Sequence, residues 1–242
     1  MAGPHSASAA NLQSRAGSRS LLAGSAPGYR LGALEFASGV TGLNAWTYLY
    51  VCLAIMPVIS FLSFSQPYVL TEIIGIPPER HGQVTGLLIT MHEIVVLALV
   101  SFAGGLSDRL GRRPLYATGT LVAGAGFAIY GMASTVGDLY VGRFVYAIGL
   151  AFVGVMIAVT AADYPAENSR GKIAGVSGVL NGLGIGIATA LFAALPAIFK
   201  SQGMTSAEAG RYMLFVMAGL AAVTAIIMQV SVKGGTPTGR RS

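Results

Sequence analysis

Two ionisable side chains, His92 and Glu93, lie near the middle of a long apolar stretch that runs from about residue 83 to residue 106. About 20 apolar residues are enough to cross a bilayer, and a charge at mid-depth is costly unless it pairs, protonates or faces water. Because burial favours the neutral carboxyl, Glu93 could load and release a proton near neutral pH. The predicted chemistry is proton carriage or solute binding, with a neutral Glu93 bonded to a neighbouring helix as the alternative.

Three further polar side chains could act inside the membrane. His92 is rotated about 100° from Glu93 around a helix, so the two are not expected to share one face. Arg143 stands near one end of the fourth apolar stretch, about 10 Å from Glu93 in depth, so a salt bridge between them would require helix tilt. Its alternative role is snorkelling to the interface. Asn181 lies in the fifth stretch at the level of Glu93, where it either binds a solute or bonds to another helix.

A charged turn, GGLSDRLGRR at residues 104–113, joins the second and third apolar stretches, and a second turn at 163–171 joins the fourth and fifth. Opposite charges at helix ends predict a network that breaks when the helices rock, since guanidinium groups suit paired contacts with carboxylates. Ordinary solvated loop charge is the alternative. The candidates are Gly104, Asp108, Arg109, Gly111, Arg112 and Arg113 in the first turn, and Asp163, Glu167 and Arg170 in the second.

Six apolar stretches must position these groups. The 242 residues are 54% hydrophobic and 10% charged, whereas a soluble domain averages about 25% charged residues. Helices are the expected form, because irregular backbone cannot face lipid. The sequence therefore predicts an all-α integral membrane protein whose transmembrane helices cover about 46–71, 83–106, 115–136, 139–162, 173–199 and 212–232. Gly178, Gly182 and Gly186 recur at every fourth position and predict a close helix contact.

The basic residues predict how the chain is oriented. Eleven of them collect on one side of the six stretches and three on the other, which predicts cytoplasmic termini and a multi-pass protein of the plasma (inner) membrane. The net charge of +6 follows from this bias, so no nucleic acid is expected as a partner. Residues 1–45 are predicted to be a largely disordered cytosolic tail, and 233–242 a second tail. With a single cysteine, Cys52, and no His/Cys cluster, no metal or other cofactor is predicted.

Residues 104–113 resemble, in register, the helix 2–3 loop signature of the major facilitator superfamily of transporters, G-x-L-a-D-R-x-G-R-R/K. The turn at 163–171 is similar to the acid-then-Arg-Gly turn of many members. The sequence around Arg143 resembles the helix 4 signature R-x-x-q-G imperfectly, because the glycine, Gly149, comes six residues later and no glutamine intervenes. The resemblance implies a role for Arg143 in proton coupling or helix contacts.

The resemblance implies a twelve-helix fold in two halves, each made of two inverted three-helix repeats. The chain fits the N-terminal half, with 233–242 as a truncated central loop. Three explanations stay open: a partial gene product, a half-transporter that pairs with an identical copy, and one subunit of a split pair. The partners predicted are therefore the lipid bilayer, a small-molecule substrate with protons, and either a second six-helix half or an identical copy.

The leading functional hypothesis is transmembrane transport of a small solute by alternating access, secondary active, with Glu93 as candidate proton carrier. The alternative is a non-transporting assembly or regulatory subunit that kept the half-fold. An enzyme is not predicted, because no nucleophile–base pair or metal set is visible in the sequence.

Overall fold

The computed structural model describes residues 28–232, apart from the side chain of Asp108. Six helices in this range are long and apolar enough to cross a membrane, which confirms the predicted all-α membrane fold. The helices are α1 Gly42–Tyr68, α2 His81–Leu110, α3 Arg112–Met132, α4 Val136–Asp163, α5 Arg170–Ser201 and α6 Ser206–Ser231, and α1 continues into a π-helical segment, Val69–Ile74.

Each helix begins two to six residues before its predicted stretch. In α1, α4 and α6 the cause is a polar capping residue, which hydropathy alone does not detect. Thr135 caps α4 in a capping box with Asp138, and Thr205 does the same for α6 with Glu208. The third helix also ends earlier than expected, at Met132, because Ala133 turns to an extended backbone ahead of the Thr135 cap.

The helix α3 is the centre of the bundle and packs against α4 on one side and α6 on the other. Glycines allow the α3–α4 backbones to approach closely. A Cβ atom at Gly149 would lie 2.4 Å from the Ala123 nitrogen, and one at Gly126 would lie 2.6 Å from the Tyr146 Cβ. On the other side of the bundle, α1 packs mainly against α5, and α2 packs against α4.

The contact between α1 and α5 depends on Gly184 and not on the predicted row of glycines. Pro57 has no N–H, so the Leu53 carbonyl in the preceding turn loses its usual helical partner, and a Cβ atom at Gly184 would come within 2.1 Å of that carbonyl oxygen. A Cβ at Gly178, Gly182 or Gly186 would meet no atom within 4 Å. The predicted glycine row therefore lies on an uncovered side of α5.

A small hairpin precedes α1 and corrects the predicted tail. Strands β1 Arg30–Leu31 and β2 Leu34–Glu35 pair antiparallel, and the buried Phe36 ring packs edge-on against Tyr48. The disordered tail predicted for residues 1–45 is thus too long at its C-terminal end, since apolar burial fixes this part of the chain. Residues 1–27 and 233–242 lie outside the described residues.

The helices α2 and α5 are much less covered than the others. Only 17% and 11% of their most apolar windows are buried, against 61% for α1 and α3. The side chains of Leu97 and Phe102 on α2 and Val179 on α5 are largely exposed. We call the outward sides of these two helices the α2/α5 face.

Candidate functional site

The charged turn at residues 104–113 is built around Gly111. Its φ of 88° lies in the left-handed region that favours glycine, and this one residue ends α2 and starts α3. The Gly111 N–H donates to the Ser107 carbonyl at 3.0 Å. The chain therefore reverses direction within a single residue, which leaves Arg112 and Arg113 in the first turn of α3.

Arg112 forms an ion pair with Asp163, at the last residue of α4. Both charges sit at the unfavourable end of their own helix, because a helix N-terminus repels a cation and a C-terminus repels an anion. Their pairing offsets both repulsions at once. The pair joins the start of α3 to the end of α4, and about two fifths of each side chain remains exposed.

Arg113 extends the same junction to a third helix. Its Nε donates a hydrogen bond of 2.8 Å to the carbonyl of Val232, the residue that caps α6. Two consecutive arginines therefore tie the start of α3 to the ends of both α4 and α6. We call Arg112, Arg113, Asp163 and Val232 the basic-end junction.

The predicted network of Asp163, Glu167 and Arg170 does not form as one unit. Asp163 pairs with Arg112, whereas Arg170 and Glu167 meet at 3.9 Å as two largely exposed side chains, and such pairs contribute little. The reason is that both residues come after the end of α4. Glu167 lies in the connecting turn and Arg170 begins α5, and both side chains are largely exposed to solvent. Arg109 is exposed and Gly104 has open space around it, while the Asp108 side chain lies outside the described part.

The hairpin adds contacts to this turn that sequence reasoning missed. The Ala37 N–H donates to the Tyr164 carbonyl at 2.8 Å, and the Ala166 N–H donates to the Glu35 carbonyl at 3.0 Å. The Asn168 side chain donates to the Glu35 carboxylate at 2.6 Å. The Asn168 hydrogen bond and the Arg30 guanidinium together hold the pKa of Glu35 below its usual value of 4.5. The alternating pattern of the hairpin is too short to have signalled these contacts.

A second group of polar residues lies inside the bundle, around Tyr146 of α4. The Arg143 side chain is only 4% exposed, and its guanidinium carbon lies 5.8 Å from the centre of the Tyr146 ring. The His92 ring of α2, 8% exposed, stands 5.7 Å from that same ring. Burial this deep contradicts the alternative in which Arg143 snorkels to the interface.

The tyrosines of this group are anchored, and sequence reasoning did not single them out. The Tyr146 hydroxyl donates to the carbonyls of Val58 and Ile59 on α1, at 2.8 and 2.7 Å. The Tyr130 hydroxyl donates to the Gln66 side-chain oxygen at 3.3 Å. Buried tyrosines usually find such partners, so a tyrosine within an apolar span was the signal available. We call Gln66, His92, Tyr130, Arg143 and Tyr146 the buried polar cluster.

Two of the four predicted solute or proton residues do not join this cluster. Glu93 lies on the exposed α2/α5 face, since one residue of helix turns it away from His92. No ion pair between Glu93 and Arg143 occurs among residues 28–232. Asn181 lines a separate cavity of about 80 Å³ between α1, α3, α4 and α5. The polar side chains that share this cavity are Tyr48, Cys52, Tyr116, Thr160 and Ser177.

Within the described residues, no group of three or more His, Cys, Asp or Glu side chains could hold a metal ion. The buried polar cluster has N–H groups that can donate hydrogen bonds to a ligand. The basic-end junction joins the start of α3 to the ends of α4 and α6.

Comparison with known proteins agrees with this architecture. The family model for the Major Facilitator Superfamily matches residues 47–241. Over 140 residues the chain is 31% identical to the magnetosome protein MamZ of Magnetospirillum gryphiswaldense, a match that covers 54% of this chain and 22% of MamZ.

Two other relatives match longer or comparable parts of the chain. Identity to the magnetosome protein MamH of Paramagnetospirillum magneticum is 24% over 173 residues, covering 68% of this chain and 40% of MamH. Identity to the class G tetracycline resistance protein of Vibrio anguillarum is 30% over 131 residues, covering 54% of this chain and 31% of that protein. The chain thus spans between about a fifth and two fifths of these curated relatives.

Proposed function

The chain belongs to the Major Facilitator Superfamily, and from this premise we propose that it takes part in secondary active transport of a small solute by alternating access. It is a multi-pass integral membrane protein whose described residues form six of the family's twelve helices. The function proposed is transport and not catalysis. The relatives' names refer to magnetosomes and to tetracycline resistance, and neither role is assigned to this chain.

The observation that carries the proposal is the position of Glu93 on the uncovered α2/α5 face. Glu93 is the thirteenth residue of α2, which places it about 18 Å from that end of the helix. A carboxylate at such a depth is not stable against lipid and requires a water-filled cavity or a partner. We infer that a second six-helix half covers this face and that the space between the halves is the solute pathway.

The glycines of α5 support the same arrangement. Gly178, Gly182 and Gly186 have open space beside them, and small residues in a row allow another helix to approach closely. The second half would be a further segment of the complete protein, an identical copy or a separate subunit. We propose Glu93 as the proton carrier of this interface, since a carboxylate at this depth must pair, protonate or face water.

The basic-end junction is proposed as a gate latch on the cytoplasmic side. The excess of arginine and lysine at this end supports a cytoplasmic orientation. The junction holds the ends of α3, α4 and α6 together, and rocking of one three-helix repeat against the other would stretch the Arg112–Asp163 pair. Arg112 and Asp163 belong to the same six-helix half. The proposed latch would therefore hold the two three-helix repeats of this half together, besides facing the second half.

The proton role is tested in proteoliposomes that contain the complete transporter and a trapped pH-sensitive dye. Tetracycline, glucose and succinate serve as probes, and we expect at least one of them to drive proton movement. Glu93→Gln should abolish this proton movement. Glu72→Gln is the matched control, because Glu72 lies in the exposed π-helical end of the first span. Unchanged proton movement in Glu93→Gln would refute the proton role.

The second half is tested by cross-linking. Val179 and Leu183 are exposed on α5, and a cysteine at either position in a Cys52→Ser background should cross-link to the covering half in native membranes. A cysteine at Val230 of α6, which is also exposed, should not. Equal cross-linking at all three positions would point to random collisions and would contradict a covering half.

The assembly-subunit alternative makes a different prediction. It would be favoured if the protein co-purified with a larger complex but gave no flux.

A further inference from the structure

The buried polar cluster contains hydrogen-bonding atoms without partners. They are Arg143 Nε, His92 Nδ1 and Gln66 Nε2, and each is buried with no hydrogen-bond partner within the described structure. Their side chains are 4%, 8% and 3% exposed. An unpaired buried polar group is costly, and an unpaired buried charge is more so. Three such groups on α1, α2 and α4 therefore call for a ligand.

Two side chains of the cluster already have hydrogen-bond partners. The Tyr146 hydroxyl donates to two α1 carbonyls, and the Gln66 side-chain oxygen accepts from Tyr130. Arg143 also forms a side-chain hydrogen bond with Tyr130. The atoms without partners are Arg143 Nε and the Gln66 side-chain nitrogen, which donate, and His92 Nδ1, which can also donate. The three unpartnered nitrogens can therefore all act as hydrogen-bond donors to a ligand.

No carboxylate balances the Arg143 charge in the part of the chain that the structure describes. The ion pairs there belong to Arg30, Arg112 and Arg170. Glu93 faces outward, and the Asp138 carboxylate accepts from the Ser134 and Thr135 N–H groups at the start of α4. Arg143 is therefore contacted by Tyr130 and Tyr146 but by no carboxylate of the described residues, and a buried charge without a counter-charge is destabilising.

The first span is irregular beside this cluster. Pro67 follows Gln66 and removes one helical hydrogen bond, and the backbone then continues as the π-helix Val69–Ile74. Segments of π-helix inside longer helices are often found at functional sites.

We propose that the buried polar cluster binds a small oxyanion, a carboxylate or phosphate group, held by Arg143 with Gln66 and His92 as additional donors. A guanidinium matches such groups with two parallel N–H bonds, which a lysine cannot reproduce. This inference deepens the proposed transport function and rests on it in one respect, that the bound oxyanion belongs to the solute.

The test is ligand binding by the purified full chain in lipid nanodiscs, followed through its thermal unfolding temperature. Sodium phosphate and sodium succinate are titrated against sodium chloride at equal ionic strength, which separates a phosphate site from a carboxylate site. We expect a saturable rise of the unfolding temperature with one of the two. Arg143→Met should abolish the rise, and Arg143→Lys should weaken the apparent affinity at least tenfold.

A matched control and a second readout keep the result interpretable. Arg211→Met should leave binding intact, because Arg211 donates to the Gly131 carbonyl at 2.9 Å and is not part of the cluster. Without ligand, Arg143→Met should unfold at a higher temperature than the wild type, since it removes an unpaired buried charge. Gln66→Leu should weaken binding while leaving the charge in place.

The inference is overturned if neither salt gives a saturable shift, or if Arg143→Met binds as well as the wild type. A saturable, Arg143-dependent shift without any flux in the complete transporter would leave the oxyanion site standing and refute the transport proposal. Flux that persists in Arg143→Met, with no shift by either salt, would refute the oxyanion site alone.

Discussion

Exchanging the charges of Arg112 and Asp163 should produce a protein more stable than the wild type. In the native pair each charge faces the end of its own helix that repels it. The double variant Arg112→Asp/Asp163→Arg keeps an ion pair between the same two positions. It also places an anion at the N-terminus of α3 and a cation at the C-terminus of α4, where each is favoured.

The magnitude follows from the exposure of the pair. With side chains 41% and 37% exposed, the ion pair itself contributes about 0.5–1 kcal/mol. Each helix-end interaction is worth about 0.3–1 kcal/mol, and in the exchanged variant both change from unfavourable to favourable. We therefore expect the double variant to exceed the wild type by about 1 kcal/mol or more at low salt. Arg112→Asp alone, which places two carboxylates together, should be less stable than the double variant.

The assay is equilibrium unfolding in mixed micelles, arranged as a double-mutant cycle so that the coupling between the two positions is isolated. The same cycle on Glu167 and Arg170 is the control, because that pair meets at 3.9 Å between exposed side chains and its coupling should be near zero. High salt should reduce the gain of the exchanged variant. If the double variant were no more stable than the wild type, the helix-end argument would be wrong. If it were no more stable than Arg112→Asp alone, the pairing argument would be wrong.

Two other predictions concern packing and the hairpin. Gly184→Ala should destabilise the bundle by about 1–3 kcal/mol through overpacking, because its Cβ would meet the Leu53 carbonyl, whereas Gly182→Ala should be neutral or slightly stabilising. Unfolding titrations of both variants check this, and an equal loss in the two would contradict it. The hairpin prediction concerns pH. The contacts of Glu35 should stabilise the hairpin fully at pH values above the pKa of Glu35 in the unfolded chain. This stabilisation should be lost as the pH falls through the lower pKa of Glu35 in the folded protein, since protonation removes the charge that Asn168 and Arg30 stabilise. The measurement is the rate of proteolysis within residues 28–41, which should rise at low pH in the wild type. In Glu35→Gln this rate should not depend on the Glu35 titration, because the variant has no carboxylate there.

The number and approximate bounds of the spans could be predicted from the sequence, because crossing a bilayer requires long apolar runs. The sides of the helices that contact one another could not be predicted in this way. In α2 and α5 apolar residues surround the helix almost evenly, so hydropathy does not distinguish the side that meets α1 or α4 from the side that remains open. That is why the glycine row was expected in a contact and lies on the uncovered side instead.

The gating role expected of the charged turns stays a prediction, and the structure pairs two of their candidate residues. Arg112 and Asp163 are brought together as the turn suggests, but the Arg113 contact to the Val232 carbonyl involves a backbone atom, which no residue pattern marks. The separation of Glu93 from His92 follows from helical rotation, which the sequence predicts. The burial of Arg143 beside Tyr146 depends on how α1, α2 and α4 pack, and it required the structure.

The most direct test of the central claim is whether water reaches Glu93 in the membrane. In a Cys52→Ser background, Glu93→Cys is treated with a membrane-impermeant maleimide in right-side-out and in inverted vesicles. Val216→Cys on α6 is the control, because it is exposed at a similar depth. We predict that Glu93→Cys reacts from both sides and that Val216→Cys reacts from neither. If Glu93→Cys were as unreactive as Val216→Cys, the α2/α5 face would lie in lipid and would not line a solute pathway.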